Sequence, residues 1–101
     1  MKLTTVVLPA YNEAKRIRST VSEVLAYFDR RQLRCEVIVA ADGDDGTREA
    51  VREMSSSRAD IRVMGSERRC GKGHGIREAV AVAVGDVIGF VDADDKTPIS
   101  E

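Results

Sequence analysis

The amino-acid sequence predicts an α/β domain: a parallel sheet of about four strands with helices on both faces. Three observations predict it. Short β-branched runs alternate with amphipathic stretches in the order βαβαβαβ. The strand candidates are apolar almost throughout, the pattern of strands covered on both sides rather than on one. Every strand-to-helix junction carries Gly, Pro, Asp or Asn, and no repeat or low-complexity linker interrupts the chain. Right-handed crossovers complete the expected topology.

The elements follow in order. Residues 3–8 (LTTVVL) read as a buried strand stopped by Pro9. Asn12 is placed to N-cap a helix in which Ile17, Val21, Val24, Leu25 and Phe28 recur at helical spacing, with Lys15, Arg16, Arg18 and Glu23 on the solvated side. This helix should run to about Arg30 or Arg31. Residues 36–41 (EVIVAA) form the second strand. After the turn at 42–46 a shorter helix, with Ala50, Val51 and Met54 inward, ends near the serines at 55–57. Residues 61–64 are a short third strand. A basic, glycine-rich loop at 67–75 then leads into a third helix with Ile76, Ala79, Val80 and Ala83 inward, closed by Gly85. Residues 87–91 are the fourth strand.

Composition bounds what such a domain can do. The 101 residues suit one domain, 1–101, with no room for a second. Sixteen Lys and Arg against seventeen Asp and Glu give a net charge of −1, which offers no broad positive field and excludes non-specific nucleic-acid binding as a first reading. The longest apolar run, 79–84, is far short of the roughly 20 residues of a membrane span. Cys35 and Cys70 have neither metal-ligand nor disulfide-framework spacing, so reduced thiols in a cytoplasmic chain are expected.

A parallel sheet puts all its strand-to-helix connections on one rim, at the carboxyl ends of the strands, and ligands bind there. Four polar segments fall on that rim: 9–13, 42–47, 68–75 and 92–95. Asp92 and Asp94 in extended backbone would share a face, roughly 6.5–7 Å apart. Their hard oxygens suit Mg²⁺ or Mn²⁺ shared with a substrate phosphate. The same residues also read as a solvated acidic turn. Gly71-Lys72-Gly73 can approach a phosphate, with Lys72 as a point charge and the next helix N-terminus behind it. It matches neither a P-loop nor G-x-G-x-x-G, and an ordinary basic turn fits it as well. Asp42 ends a central strand and can accept from a base N–H or a ribose hydroxyl, while Asp45 and Thr47 suit helix capping. Tyr11 offers a ring to a nucleobase, and Glu13 a further acceptor or a helix-dipole residue. His74 reads as a lone, solvated loop histidine.

These segments, VVLPAYNEAKRI, VIVAADGDDGT, RRCGKGHGIREAV and VIGFVDADDKTPISE, resemble in order the nucleotide-sugar half of an inverting family 2 glycosyltransferase of the GT-A fold. The last two are most similar to polyprenyl-phosphate or dolichyl-phosphate glucosyl- and mannosyltransferases. The resemblance covers essentially the whole chain and implies the Rossmann-like N-terminal part of that fold. It implies that Pro9, Ala10, Tyr11, Glu13 and Asp42 hold base and ribose and that Lys72 lies near the diphosphate. Asp92 and Asp94 would be the DxD pair, with Asp92 and Ala93 near ribose and diphosphate and Asp94 leading in binding Mg²⁺ or Mn²⁺.

The sequence departs from the family pattern in three places. Ala41 stands where a first aspartate is common, and the following turn is one residue shorter. Lys96 replaces a Gln that serves as a metal ligand in some mannosyl-transferring relatives, which favours UDP-glucose over GDP-mannose. The chain also ends at Glu101, before the acceptor region and the catalytic base of the family, so the expectation is a truncated donor-binding part, inactive alone, with the acceptor polyprenyl phosphate and a membrane-facing position belonging to the full enzyme. A non-catalytic nucleotide-sugar module needing a partner is the alternative, and a nucleotidyltransferase ranks below both. A fourth strand left as an open edge would favour self-association.

Overall fold

The structure, a computed structural model, describes residues 3–68 and 72–91, with the backbone alone at 72 and 73. Seven elements follow in the expected order: β1 (Leu3–Tyr11), α1 (Ile17–Arg30), β2 (Arg34–Asp42), α2 (Thr47–Ser55), β3 (Ile61–Met64), α3 (Lys72–Val82) and β4 (Val87–Phe90). The strands lie in the order β3-β2-β1-β4, all parallel. The predicted four-stranded α/β fold is present.

Side-chain alternation along β1 and β2 divides the core in two. Val6 and Leu8 of β1 and Val37 and Val39 of β2 pack with α1 and α2, where Ile17, Val21, Val24, Leu25, Phe28 and Val51 are buried. Val7 and Ile38 turn to the opposite face and meet Ala79 of α3. Helices therefore cover both faces, as apolar parallel strands require.

Several boundaries differ from the sequence reading. β1 does not stop at Pro9 but continues to Tyr11, with Pro9 in register with Ala40. The backbone carbonyls of Leu3 and Val7 accept from the β4 side, from the N–H groups of Asp86 (2.7 Å) and Val91 (3.1 Å). By the two-residue period Pro9 also points there, beyond the last β1–β4 pair, so its missing N–H breaks no ladder bond among the described residues. Asn12 does not cap α1. It sits at φ 56°, and the Glu13 carbonyl accepts from Arg16 (3.0 Å) and Ile17 (2.8 Å) in a tight turn before the helix. The glycine-rich stretch is helical from Lys72, because Gly75 lets α3 lie close on the sheet: a Cβ there would be 3.2 Å from the Ala40 Cβ. His74 is not alone, since its Nε2 lies 3.1 Å from Glu78 Oε1 one turn on. Val80 faces solvent rather than the core, and α3 ends at Val82, before Gly85. Gly85 instead permits a close approach to β1, where a Cβ would fall 2.6 Å from the Thr5 nitrogen. The fourth strand ends at Phe90, although Val91 still bonds to Val7.

At the end of the sheet away from the carboxyl rim, a buried carboxylate ties the α3–β4 connection to the strands. Glu36 accepts from the Thr5 hydroxyl (2.6 Å), the Val84 N–H (2.8 Å) and Arg62 (3.0 Å), while Arg62 also donates to the Val82 carbonyl (2.7 Å). Burial alone would raise the Glu36 pKa. The hydrogen bonds from Thr5 and Val84 and the charge of Arg62 outweigh it and hold the carboxyl below its ordinary value.

Candidate functional site

The carboxyl rim is built on the ends of β1 and β2. Tyr11 and Asp42 are register partners there, as are Pro9 and Ala40. Tyr11, Asp42, Pro9 and Ala40 share the α3 face of the sheet, because they keep the phase of Val7 and Ile38. The first turn of α3 reaches the same place, with Gly75 against Ala40. The start of α3 at Lys72 therefore lies on the rim, where a helix N-terminus favours anions.

Tyr11 is 42% exposed, and its ring lies along the turn after β2. A Cβ on Gly43 would stand 3.3 Å from both Tyr11 Cε1 and Asn12 Oδ1, so a residue without a side chain lets these two loops touch. The φ of +105° at Gly43 demands glycine independently. Asp42 is half-buried, and its Oδ1 accepts from the Ser66 N–H at 3.2 Å.

The loop after β1 is fastened to the start of α2 by two side chains. Thr47 Oγ1 accepts from the Glu13 N–H (3.2 Å), and Asp45 Oδ2 accepts from the Ala14 N–H (3.2 Å). Asp45 Oδ1 in turn accepts from the N–H (3.2 Å) and hydroxyl (2.6 Å) of Thr47. The N-cap of α2 is Gly46 rather than Asp45 or Thr47; Asp45 still accepts from the first helical N–H, that of Thr47, and both side chains hold the 13–14 backbone in place. Burial would raise the Asp45 pKa, but the Thr47 and Ala14 hydrogen bonds prevail and lower it.

Sequence reasoning passed over Arg48. It is 8% exposed, and its Nη1 donates to three main-chain carbonyls, those of Ala41 (3.0 Å), Gly43 (2.7 Å) and Ser66 (2.7 Å). A cation in the first turn of a helix opposes the helix dipole, and that misplaced charge was the signal in the sequence. Gly65 completes the arrangement: at φ +133° it brings the 65–66 backbone so close that a Cβ would fall 1.8 Å from the Ala41 carbonyl oxygen.

The structure thus brings Pro9, Tyr11, Glu13 and Asp42 to one rim. Ala10 differs in that its side chain is buried in the core beneath α1, which leaves its backbone as the part facing a rim ligand. The side chain of Lys72 and all of Asp92, Ala93 and Asp94 lie outside the described residues. Among the described residues no group of three His, Cys, Asp or Glu could hold a metal ion, and no helix is long and apolar enough to cross a membrane.

A four-stranded parallel sheet in the order β3-β2-β1-β4, with helices on both faces, has the fold of GT-A glycosyltransferases. Residues 5–99 match the family described as Glycosyl transferase family 2, and the chain belongs to it. It is similar in sequence to a dolichyl-phosphate beta-glucosyltransferase of Trichomonas vaginalis, 38% identical over 104 residues that cover 97% of this chain and 31% of the relative. In structure it is similar to a mannosyltransferase of Pyrobaculum calidifontis solved with GDP-Man and Mn²⁺, with TM-score 0.72 and 31% identity over 90% of this chain and 27% of that one. It is also similar to glucosyl-3-phosphoglycerate synthase of Mycobacterium tuberculosis, solved with Mn²⁺, UDP and phosphoglyceric acid. There the TM-score is 0.65 and the identity 30%, over 91% of this chain and 33% of that one. The chain spans about a third of the length of the dolichyl-phosphate beta-glucosyltransferases it matches.

Proposed function

We propose that the chain is the donor-binding part of a metal-dependent inverting glycosyltransferase that transfers a hexose from a nucleotide sugar to a polyprenyl phosphate. The observation that carries this reading is the pairing of Tyr11 with Asp42 at the carboxyl ends of the two central strands, on the face where α3 begins. In it, the Tyr11 ring lies against the base. Asp42, Glu13 and the backbone at Pro9 and Ala10 accept from base and ribose, and Lys72 with the α3 N-terminus meets the diphosphate. The glucosyl activity named for the Trichomonas relative and the Lys96 departure favour UDP-glucose over GDP-mannose. Family membership favours a sugar transferase over a nucleotidyltransferase.

Metal binding rests on Asp92 and Asp94, with Ala93 between them, directly after Val91. The described rim acids are a poor substitute, because Asp45 is committed to Thr47 and Ala14 and Asp42 to Ser66. Two carboxylates are a fitting donor set for Mg²⁺ or Mn²⁺, and the Pyrobaculum and Mycobacterium neighbours were solved with Mn²⁺. Asp92 and Asp94 would hold such an ion, which would supply charge neutralisation for a nucleoside diphosphate leaving group. The residues of this chain bind and orient the donor; no base that would activate an acceptor is assigned among them.

Calorimetric titration of the chain with UDP, UDP-glucose, GDP and GDP-mannose, each with Mn²⁺ and with EDTA, tests the reading. Metal-dependent binding of the uridine nucleotides, weakened in Asp92→Asn with the fold retained, is the expected result. Absence of binding at millimolar ligand, or binding indifferent to EDTA, would overturn it.

A further inference from the structure

Arg48 has an unusual position for a buried cation. Its three acceptors are all main-chain carbonyls, gathered around a single guanidinium nitrogen that carries only two hydrogens. Burying a guanidinium is unfavourable unless strong hydrogen bonds offset the lost hydration, so carbonyls held this close are tied to the arginine as firmly as it is to them. Two of the carbonyls belong to Ala41 and Gly43, the residues on either side of Asp42. The third belongs to Ser66, whose N–H donates to Asp42 Oδ1 (3.2 Å) and whose carbonyl also accepts from the Gly43 N–H (2.9 Å). One nitrogen therefore fixes the peptide before Asp42, the peptide that follows Gly43, and a residue that donates to the Asp42 carboxylate.

We propose that Arg48 is a positioning residue for the nucleoside end of the donor site, acting through Asp42. This rests on the reading of Asp42 as a base or ribose contact. Arg48 sets the height of the 42–43 turn at the sheet edge and the rotation of the Asp42 carboxylate. The turn here is short, with Thr47 opening α2 only five residues after Asp42, and Gly43 and Gly46 both adopt positive φ. Such a backbone has little rigidity of its own, and the arginine supplies it from below. A ligand's diphosphate end, served by α3 and by residues after β4, does not depend on this clamp.

The test compares Arg48→Met, which keeps the volume and removes the donors, with Arg48→Lys, which keeps a charge and three N–H donors on a shorter stem. Ligand-free amide exchange is read first. Arg48→Met should speed exchange at Gly43 and Ser66 about tenfold or more, while Val37 and Val39 keep their protection. Calorimetry with Mg²⁺ then compares UDP with inorganic pyrophosphate. Arg48→Met should weaken UDP about tenfold and pyrophosphate less than about twofold, with Arg48→Lys intermediate. In an Asp42→Ala background the Arg48→Met change should add less than about twofold, since the two act as one unit. Should Arg48→Met fail to fold, Arg48→Lys carries the same comparison, with a loss confined to UDP as the supporting outcome. Equal losses for UDP and pyrophosphate, or full additivity with Asp42→Ala, overturn the inference and leave the donor-site reading standing. A wild-type chain that binds neither UDP nor GDP overturns both.

Discussion

Tyr11 and Asp42 face each other across the last register pair of β1 and β2, with the backbone of Gly43 filling the space beside the tyrosine ring. Neither residue reaches this position by its own local preference. Tyr11 is there because β1 runs through Pro9, and Asp42 because Gly65, Ser66 and Arg48 hold the turn that follows it.

Gly65 and Gly46 both have positive φ, but only Gly65 is also crowded. Nothing lies within 4 Å of a Cβ on Gly46, whereas one on Gly65 would collide with the Ala41 carbonyl at 1.8 Å. Gly46→Ala should therefore cost only backbone strain, about 1–2 kcal/mol, and Gly65→Ala about 3 kcal/mol or more. Thermal or urea unfolding of the two variants checks the ranking; equal losses would show that the 65–66 loop moves freely.

Glu36 has a folded-state pKa lowered from 4.5. A carboxyl with a depressed folded pKa contributes stability that is present above the unfolded value and is lost as pH falls through the folded one. Stability should thus decline on acidification from about pH 4.5 downward, and Glu36→Gln should flatten that slope. At neutral pH the variant should lose about 2 kcal/mol, because Arg62 and the Val84 N–H lose a charged acceptor. Urea titrations at pH 7 and pH 4 measure both effects, and an unchanged pH slope would show that Glu36 is not the responsible group.

Cys35 should be a slow thiol. Burial, then Asp60 and Asp29, push its pKa up to about 11 from 9.0 against a smaller opposing effect of Arg58. At pH 7 it then carries roughly a hundredth of the thiolate of an ordinary cysteine. In a Cys70→Ser background, labelling by a disulfide reagent should be slow at pH 7 and quicken as pH rises toward the pKa. Labelling at the rate of a free thiol would contradict this.

Among the described residues β4 is an outer strand, and it carries Val87 (48% exposed) and Phe90 (55% exposed) with no charged residue from Val87 to Phe90. Charges are the usual guard of such an edge. Concentration-dependent self-association is the expected behaviour of the chain, reduced in Phe90→Lys. Light scattering decides it, and a monomeric mass at high concentration would count against the expectation.

Much of this was legible in the sequence because burial imposes period. Ile17, Val21, Val24, Leu25 and Phe28 point inward as their spacing requires, and the run VIVAA could only be a strand covered on both faces. The boundaries that moved did so for tertiary reasons. Pro9 is tolerated in a strand because its nitrogen points past the last β1–β4 pair, and Lys72 opens a helix because Gly75 packs on Ala40. The rim residues at 9–13 and 42 could be named from the order of motifs. For Arg48 the sequence carried only a cation misplaced at a helix start; its acceptors are main-chain carbonyls from two separate loops and leave no pattern of side chains to read.

The most direct test of the central claim, that the nucleoside sits at the ends of β1 and β2, is amide chemical-shift mapping of the ¹⁵N-labelled chain titrated with UDP in Mg²⁺. The account predicts that the largest shifts fall at residues 10–14 and 42–47, with Val84, Gly85 and the Glu36 end of the sheet unmoved. Shifts concentrated at the Glu36 end, or none at the carboxyl rim when UDP binds, would contradict it.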